Sequence, residues 1–97
     1  MDRALEKALE ALREKTGGEA LDGSVKLDFV DHGALRLDGD GARLDDGAEA
    51  DCTISADLDT FRALFDGHLS PTSAFMTGKI RITGDMGVAM RVAGLLG

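Results

Sequence analysis

The sequence predicts an α+β fold with four helices and a five-stranded, mainly antiparallel sheet. Three features of the 97 residues support this class: a helical apolar period at the N-terminus, four alternating apolar–polar segments between residues 24 and 55, and helix caps after residue 56. No segment has the composition of a linker, so residues 1–97 are expected to form one domain. Its core is expected to be modest, because a chain this short buries only about 60–65% of its unfolded surface.

The first predicted element is an amphipathic surface helix over residues 2–15. Leu5, Leu9 and Leu12 recur at helical spacing, and charged side chains occupy most of the remaining positions. Asp2 is placed to cap its start, and the glycine pair after residue 16 is placed to end it.

Four strands are predicted in the middle of the chain, over residues 24–30, 34–38, 42–45 and 50–55. Apolar and polar side chains alternate in each segment, which is typical of a strand with one buried face. Glycines with aspartate or histidine neighbours separate the segments and tolerate tight turns. The short connections therefore predict an antiparallel meander with one apolar face and one polar face.

Helix signals return in the last forty residues. Asp57, Ser70 and Asp85 are placed to cap three helices, and Pro71 directly after a serine cap is a strong start signal. A fifth strand is predicted between the last two helices, over residues 79–83, where isoleucines alternate with polar side chains.

Glycines 78, 84 and 87 lie near Lys79 and invite comparison with a nucleotide-binding loop. A Walker-type loop needs a glycine five residues before Gly78 and a hydroxyl residue after Lys79, where the chain has Ile80. The dinucleotide fingerprint also fails, because Gly78 precedes a strand instead of following one. These glycines are therefore interpreted as turn and cap residues.

The composition excludes several partners and locations. The formal net charge is −7, and the chain has neither Trp nor Tyr, so nucleic-acid binding is not expected. The N-terminus is charged, unlike a signal peptide, and no apolar run approaches the roughly 20 residues that cross a bilayer. The single cysteine fits a reducing compartment, and a cytoplasmic location is expected.

Catalytic and metal-binding side chains are few. Cys52, His32 and His68 lie far apart in the sequence, and Cys52 occupies an inward strand position that is typical of a small buried side chain. Residues 38–49 match a calcium loop poorly, because Arg43 stands where the loop needs glycine. No enzyme activity, metal or cofactor is therefore expected.

The C-terminal helix is apolar on nearly its whole circumference, and Arg91 is its only charged side chain after Asp85. Such a helix must be covered on more than one side. A partner chain, a bound apolar ligand or ordinary burial would each provide this cover. Met76, Met86 and Met90 favour the ligand, because flexible thioether chains adapt to variable apolar shapes.

From residue 50 onward the chain resembles the sterol carrier protein type 2 family. The likeness rests on an ungapped series: residues 50–54, 64–67, 74–80 and 82–86, followed by Ala89 and Met90. The N-terminal half agrees more loosely, as a helix followed by a meander. Two departures are the absence of tryptophan and of a peroxisomal signal, and the second indicates a free-standing bacterial version.

The resemblance implies a five-stranded sheet covered on one face by helices, with an apolar tunnel between them. It implies non-enzymatic binding or transfer of a fatty acyl chain, sterol or isoprenoid. The residues that it places along the tunnel are Phe61, Phe65, Phe75, Met76, Ile80, Ile82, Met86, Met90 and Val92.

Two alternative functions stay open at this point. One is a protein-interaction or dimerisation module that docks through the apolar C-terminal helix. The other is an accessory factor that presents lipids in quinone biosynthesis. Transient contact with a membrane or a protein is compatible with each hypothesis, and the oligomeric state is left open.

Overall fold

The computed structural model describes residues 3–96. Met1, Asp2 and Gly97 lie outside the described residues, and so does the predicted Asp2 cap. The elements in chain order are α1 (Arg3–Thr16), β1 (Val25–Phe29), β2 (Gly33–Asp38), β3 (Gly41–Leu44), β4 (Cys52–Ala56), α2 (Leu58–Asp66), α3 (Pro71–Met76), β5 (Arg81–Gly84) and α4 (Met86–Leu96). The predicted α+β class is confirmed.

The sheet is mixed and mostly antiparallel, with the strand order β3-β2-β1-β4-β5. β1, β2 and β3 form the predicted meander, and β5 pairs antiparallel with β4. The extension of that meander to a fourth strand was wrong, because β4 does not pair with β3. Instead β4 lies parallel to β1, with Leu27 opposite Ile54.

The connection from β3 to β4 is held by a buried arginine. Arg36 is only 6% exposed. Its guanidinium donates to the carbonyls of Ala48 (3.1 Å) and Glu49 (2.8 Å) and to the carboxylate of Asp38 (2.9 Å). These bonds satisfy a buried charge and tie the connection to β2. The connection ends at β4, which lies on the side of β1 opposite β2.

The inner face of the sheet carries the core. Val25, Leu27 and Phe29 of β1 are fully buried, and the intervening Lys26 and Asp28 are only partly buried. α1 packs against β2, β3 and α2, and α4 packs against β1, β4 and β5. The alternation predicted from the sequence therefore separates an apolar inner face from a polar outer face.

The predicted caps of the three later helices are confirmed. The Asp57 carboxylate accepts from the Thr60 N–H (2.8 Å), and the Ser70 hydroxyl accepts from the Ser73 N–H (3.1 Å). The Asp85 carboxylate accepts from the Gly87 N–H at 2.7 Å, in the first turn of α4. These caps fix where the three later helices begin.

β5 is shorter at its start than predicted. Lys79 and Ile80 precede the strand, because their N–H groups donate to the Ala74 carbonyl at 2.8 and 3.4 Å. Because these N–H groups bond the last turn of α3, they cannot pair with β4, and the strand begins at Arg81.

Asp38 is the centre of a charged cluster on the outer face. Burial alone would raise the pKa of its carboxyl group. Hydrogen bonds from Arg43 (2.6 Å), the Asp40 N–H (2.9 Å) and Arg36 outweigh burial and lower the pKa to about 2. The charged carboxylate is therefore favoured in the folded state.

Asp38→Asn is expected to lower the free energy of unfolding by about 2 kcal/mol at neutral pH. The folded-state pKa lies below the ordinary value of 3.8. The contribution is therefore full above about pH 4 and is lost as the pH falls through about 2. Urea unfolding of wild type and Asp38→Asn should show that the difference in their free energies of unfolding shrinks as the pH falls from about 4 to about 2. Asp40→Asn, the same change in the same hairpin, is the control, and an equal difference at neutral and acid pH would contradict this account.

Candidate functional site

A cavity of about 200 Å³ lies between the inner face of the sheet and the three later helices. It is lined by Leu27, Ile54, Phe61, Leu64, Pro71, Thr72, Phe75, Ile80, Ile82, Met86, Ala89, Met90, Val92, Ala93 and Leu96. Thr72 is the one polar side chain among these lining residues. The cavity is thus suited to hydrocarbon and offers almost nothing to a polar ligand.

The floor of the cavity follows from strand register. Leu27 of β1 lies opposite Ile54 of β4, which lies opposite Ile82 of β5. Directly paired residues share a face of the sheet, so the three side chains form one apolar row. Ile82 stays partly exposed, since β5 is an edge strand.

The back wall is an aromatic cluster. The rings of Phe29 and Phe61 stack with centroids 4.2 Å apart, and the centroids of Phe61 and Phe65 are 5.9 Å apart. Phe29 and Phe61 are fully buried. Stacked rings of this kind are rigid, so they fix the position of Phe61 at the cavity surface.

The mouth of the cavity lies between α3 and α4. Phe75 is 49% exposed, and Met86 and Met90 are 48% and 70% exposed, although all three line the cavity. The side chains that α4 buries are those of Val88, Ala89, Val92 and Leu96, and all of these except Val88 also line the cavity. α4 is covered by the sheet, by α1 and by α3, whereas its side with Met86 and Met90 faces solvent.

Seven of the nine predicted tunnel residues line the cavity. Phe65 does not; it is buried behind Phe61 in the aromatic cluster. Met76 does not either; it is 79% exposed at the end of α3. The lining residues that were not predicted are Leu27, Ile54, Leu64, Pro71, Thr72, Ala89, Ala93 and Leu96. The spacing of Ala89, Ala93 and Leu96 on one side of a helix was the signal that could have identified three of them.

Cys52 is buried in β4 and does not line the cavity. Burial, with the negative charges of Asp85 and Asp51 nearby, raises the pKa of its thiol to about 11. The thiol is therefore protonated at neutral pH, whereas a nucleophilic cysteine needs the thiolate. Cys52 behaves as a small core side chain.

Within residues 3–96, no cluster of three or more His, Cys, Asp or Glu side chains could hold a metal ion. No helix there has the length and apolar character to span a membrane.

Two curated relatives match about half of the chain. Sterol carrier protein 2 of Homo sapiens is 49% identical over 47 residues, which are 48% of this chain and 9% of that protein. Hydroxysteroid dehydrogenase-like protein 2 of Xenopus tropicalis is 45% identical over 49 residues, or 50% of this chain and 12% of that protein. The aligned segment spans only about a tenth of each relative.

Solved structures share the fold over nearly the whole chain. Sterol Carrier Protein 2 Like 2 from Aedes aegypti superposes with a TM-score of 0.77 at 19% identity, covering 95% of both chains. Palmitated SCP2L2 from the same organism superposes with a TM-score of 0.71 at 19% identity, covering 99% of this chain and 95% of that chain. The UbiJ-SCP2 ubiquinone synthesis protein superposes with a TM-score of 0.59 at 18% identity, covering 96% of this chain and 77% of that chain.

The family model described as the SCP-2 sterol transfer family matches residues 2–97. That match covers the sheet, all four helices and every residue that lines the cavity. The chain therefore belongs to the SCP-2 sterol transfer family.

Proposed function

We propose that this chain binds and carries a lipid by holding a hydrocarbon chain in the cavity beneath α3 and α4. The observation that supports this most is an apolar cavity of about 200 Å³ with a single polar lining side chain. Membership of a sterol transfer family agrees with it. The seven predicted residues that line the cavity are the proposed ligand contacts, with Phe65 as a support for Phe61.

The cavity volume favours a flexible chain over a rigid ring system. An apolar cavity of about 150 Å³ holds benzene, whereas pockets for drug-sized ligands measure about 300–1,000 Å³. At about 200 Å³, the cavity has room for part of an acyl or isoprenoid chain, and the remainder would extend through the mouth. A sterol would require the cavity to widen.

The binding energy would come from hydrocarbon burial, at about 0.8 kcal/mol per methylene. After association costs, a chain of about twelve carbons would bind in the micromolar range. The palmitated relative shares this fold and supports an acyl ligand, and the ubiquinone synthesis protein supports an isoprenoid alternative. A non-enzymatic role in the cytoplasm is part of the proposal, in keeping with the buried, free Cys52.

Delipidated protein should bind a fluorescent fatty acyl probe and a fluorescent isoprenoid saturably, and a fluorescent sterol more weakly. Native mass spectrometry of the purified protein should show a co-purified lipid by its mass. The absence of saturable binding to every probe, with an intact circular dichroism spectrum, would contradict the proposal.

A further inference from the structure

The cavity runs from an exposed end to a fully buried end. At the mouth, the lining side chains of Phe75 and Met90 are exposed to solvent. At the other end, the lining side chains of Leu27, Phe61 and Val92 are fully buried. A ligand that enters from solvent therefore has one direction in which to extend.

The polarity of the lining follows the same direction. Thr72, the one polar side chain of the lining, is exposed near the start of α3. The buried end is lined by apolar side chains, so a polar group there would lose its hydrogen bonds to water without replacement. A bound lipid is therefore expected to place its hydrocarbon tail at the buried end and its polar head at the mouth.

Phe61 closes the buried end. It is the largest fully buried side chain of the lining. Its ring centroid lies 4.2 Å from that of Phe29 and 5.9 Å from that of Phe65, and neither of these two residues lines the cavity. The ring of Phe61 thus separates the cavity from two further aromatic side chains. Because both rings pack against it, Phe61 is held in this position.

We propose that Phe61 limits how much of a lipid tail the cavity holds, and so selects ligands by chain length. The inference rests on the proposed function, in which the cavity holds hydrocarbon. Each methylene that is buried before the tail reaches Phe61 would raise the affinity about fourfold. Carbons beyond that length would stay at the mouth, partly in water, and each would raise the affinity by less than about twofold.

The test measures how saturated straight-chain acids, from octanoic to hexadecanoic acid, compete with a fluorescent acyl probe for delipidated protein. For wild type, the gain per methylene should fall within this series from about fourfold to less than about twofold. Phe61→Ala frees space for roughly three more methylenes, so hexadecanoic acid should bind this variant at least about tenfold more tightly than wild type. Octanoic acid should not, because its carboxylate must stay at the mouth and its tail is too short to use the added depth.

Two further variants control for lost core volume. Leu12 is fully buried on α1 and does not line the cavity, so Leu12→Ala should destabilise the fold and leave the chain-length preference unchanged. Phe61→Leu removes less volume than Phe61→Ala and serves if circular dichroism shows that Phe61→Ala is unfolded. It should bind hexadecanoic acid about twofold to fourfold more tightly than wild type.

A hydroxyl group on the tail gives a test on wild type itself. Hexadecanoic acid with a hydroxyl on its last carbon should bind about tenfold more weakly than the unsubstituted acid. The hydroxyl would be buried beside Phe61, where the lining provides no polar side chain to bond it.

Three results would overturn the proposal: equal affinity for the hydroxylated and unsubstituted acids, a constant gain per methylene up to hexadecanoic acid, or a wild-type preference in the folded Phe61 variants. The same shift in Leu12→Ala would also overturn it, because lost stability and not added depth would then set the preference. If the acids bind saturably, each of these results refutes only the role of Phe61. If no acyl or isoprenoid probe binds, the proposed function is refuted and this proposal with it.

Discussion

Ala93→Trp should reduce the affinity for a fluorescent acyl probe at least about hundredfold while the protein stays folded. Ala93 lies on α4, lines the cavity and is only partly buried, so a larger side chain has space to enter the cavity. An indole ring would displace roughly four methylenes of ligand, each worth about 0.8 kcal/mol, for a loss of about 3 kcal/mol. Titration of delipidated variant and wild type measures the effect.

Gly94→Trp is the matched control for this substitution. A Cβ added at Gly94 would meet no atom within 4 Å, and Gly94 is exposed and does not line the cavity, so the new indole should lie in solvent and leave affinity unchanged. The native chain has neither Trp nor Tyr, so each variant carries one fluorophore that reports its own environment. Wild-type affinity in Ala93→Trp, with emission typical of a buried indole, would show that the lipid binds elsewhere.

The helix positions were predictable because their signals are local. Asp57, Ser70 and Asp85 each accept a hydrogen bond from an N–H two or three residues away, and such a contact can be seen in a short stretch of sequence. The alternation in β1 and β4 is equally local. For this reason the bounds of most elements agree with the predictions to within a few residues.

The partner of β4 was not predictable in the same way. Cys52, Ile54 and Ala56 alternate identically whether the strand pairs with β3 or with β1. The connection before β4 is held by Arg36, which donates to carbonyls twelve and thirteen residues away, and no local pattern indicates such a contact. In the sequence Arg36 resembles any outward strand residue, because outward charges are usually solvated.

The candidate site was predictable only in part, because local patterns identify its buried residues but not which of them meet the cavity. Phe61 and Phe65 are one helical turn apart and both buried, yet only Phe61 lines the cavity. Helical periodicity identifies a common buried face, but whether a side chain meets a void or another side chain depends on how α3 and α4 are placed. Met76 shows the opposite case, since an apolar residue beside Phe75 projects into solvent.

The placement of α4 depends on Gly84, where β5 ends. Its φ is +98°, a region that favours glycine. A Cβ there would lie 2.5 Å from the Asp51 carbonyl oxygen and 2.9 Å from the Cα of Cys52. The same carbonyl accepts from the Asp85 N–H at 2.8 Å, so the close approach also positions the cap of α4. The turn therefore joins the sheet edge to the cavity wall.

Gly84→Ala should lower the free energy of unfolding by roughly 3–5 kcal/mol, because backbone atoms on β4 must move to admit the methyl group. A domain of this size has a total stability of only about 5–15 kcal/mol, so urea unfolding should show a large loss.

Gly78→Ala and Gly94→Ala are the controls for this substitution. Gly78 also has a positive φ, +74°, but a Cβ there would meet no atom within 4 Å. Gly78→Ala should therefore lower the free energy of unfolding by only about 1–2 kcal/mol. Gly94→Ala, in the open α4 helix, should instead stabilise by up to about 1 kcal/mol. Equal losses at Gly84 and Gly78 would show that φ alone sets the cost. A larger loss at Gly84, accompanied by loss of lipid binding, would show that contact with β4 holds α4 over the cavity.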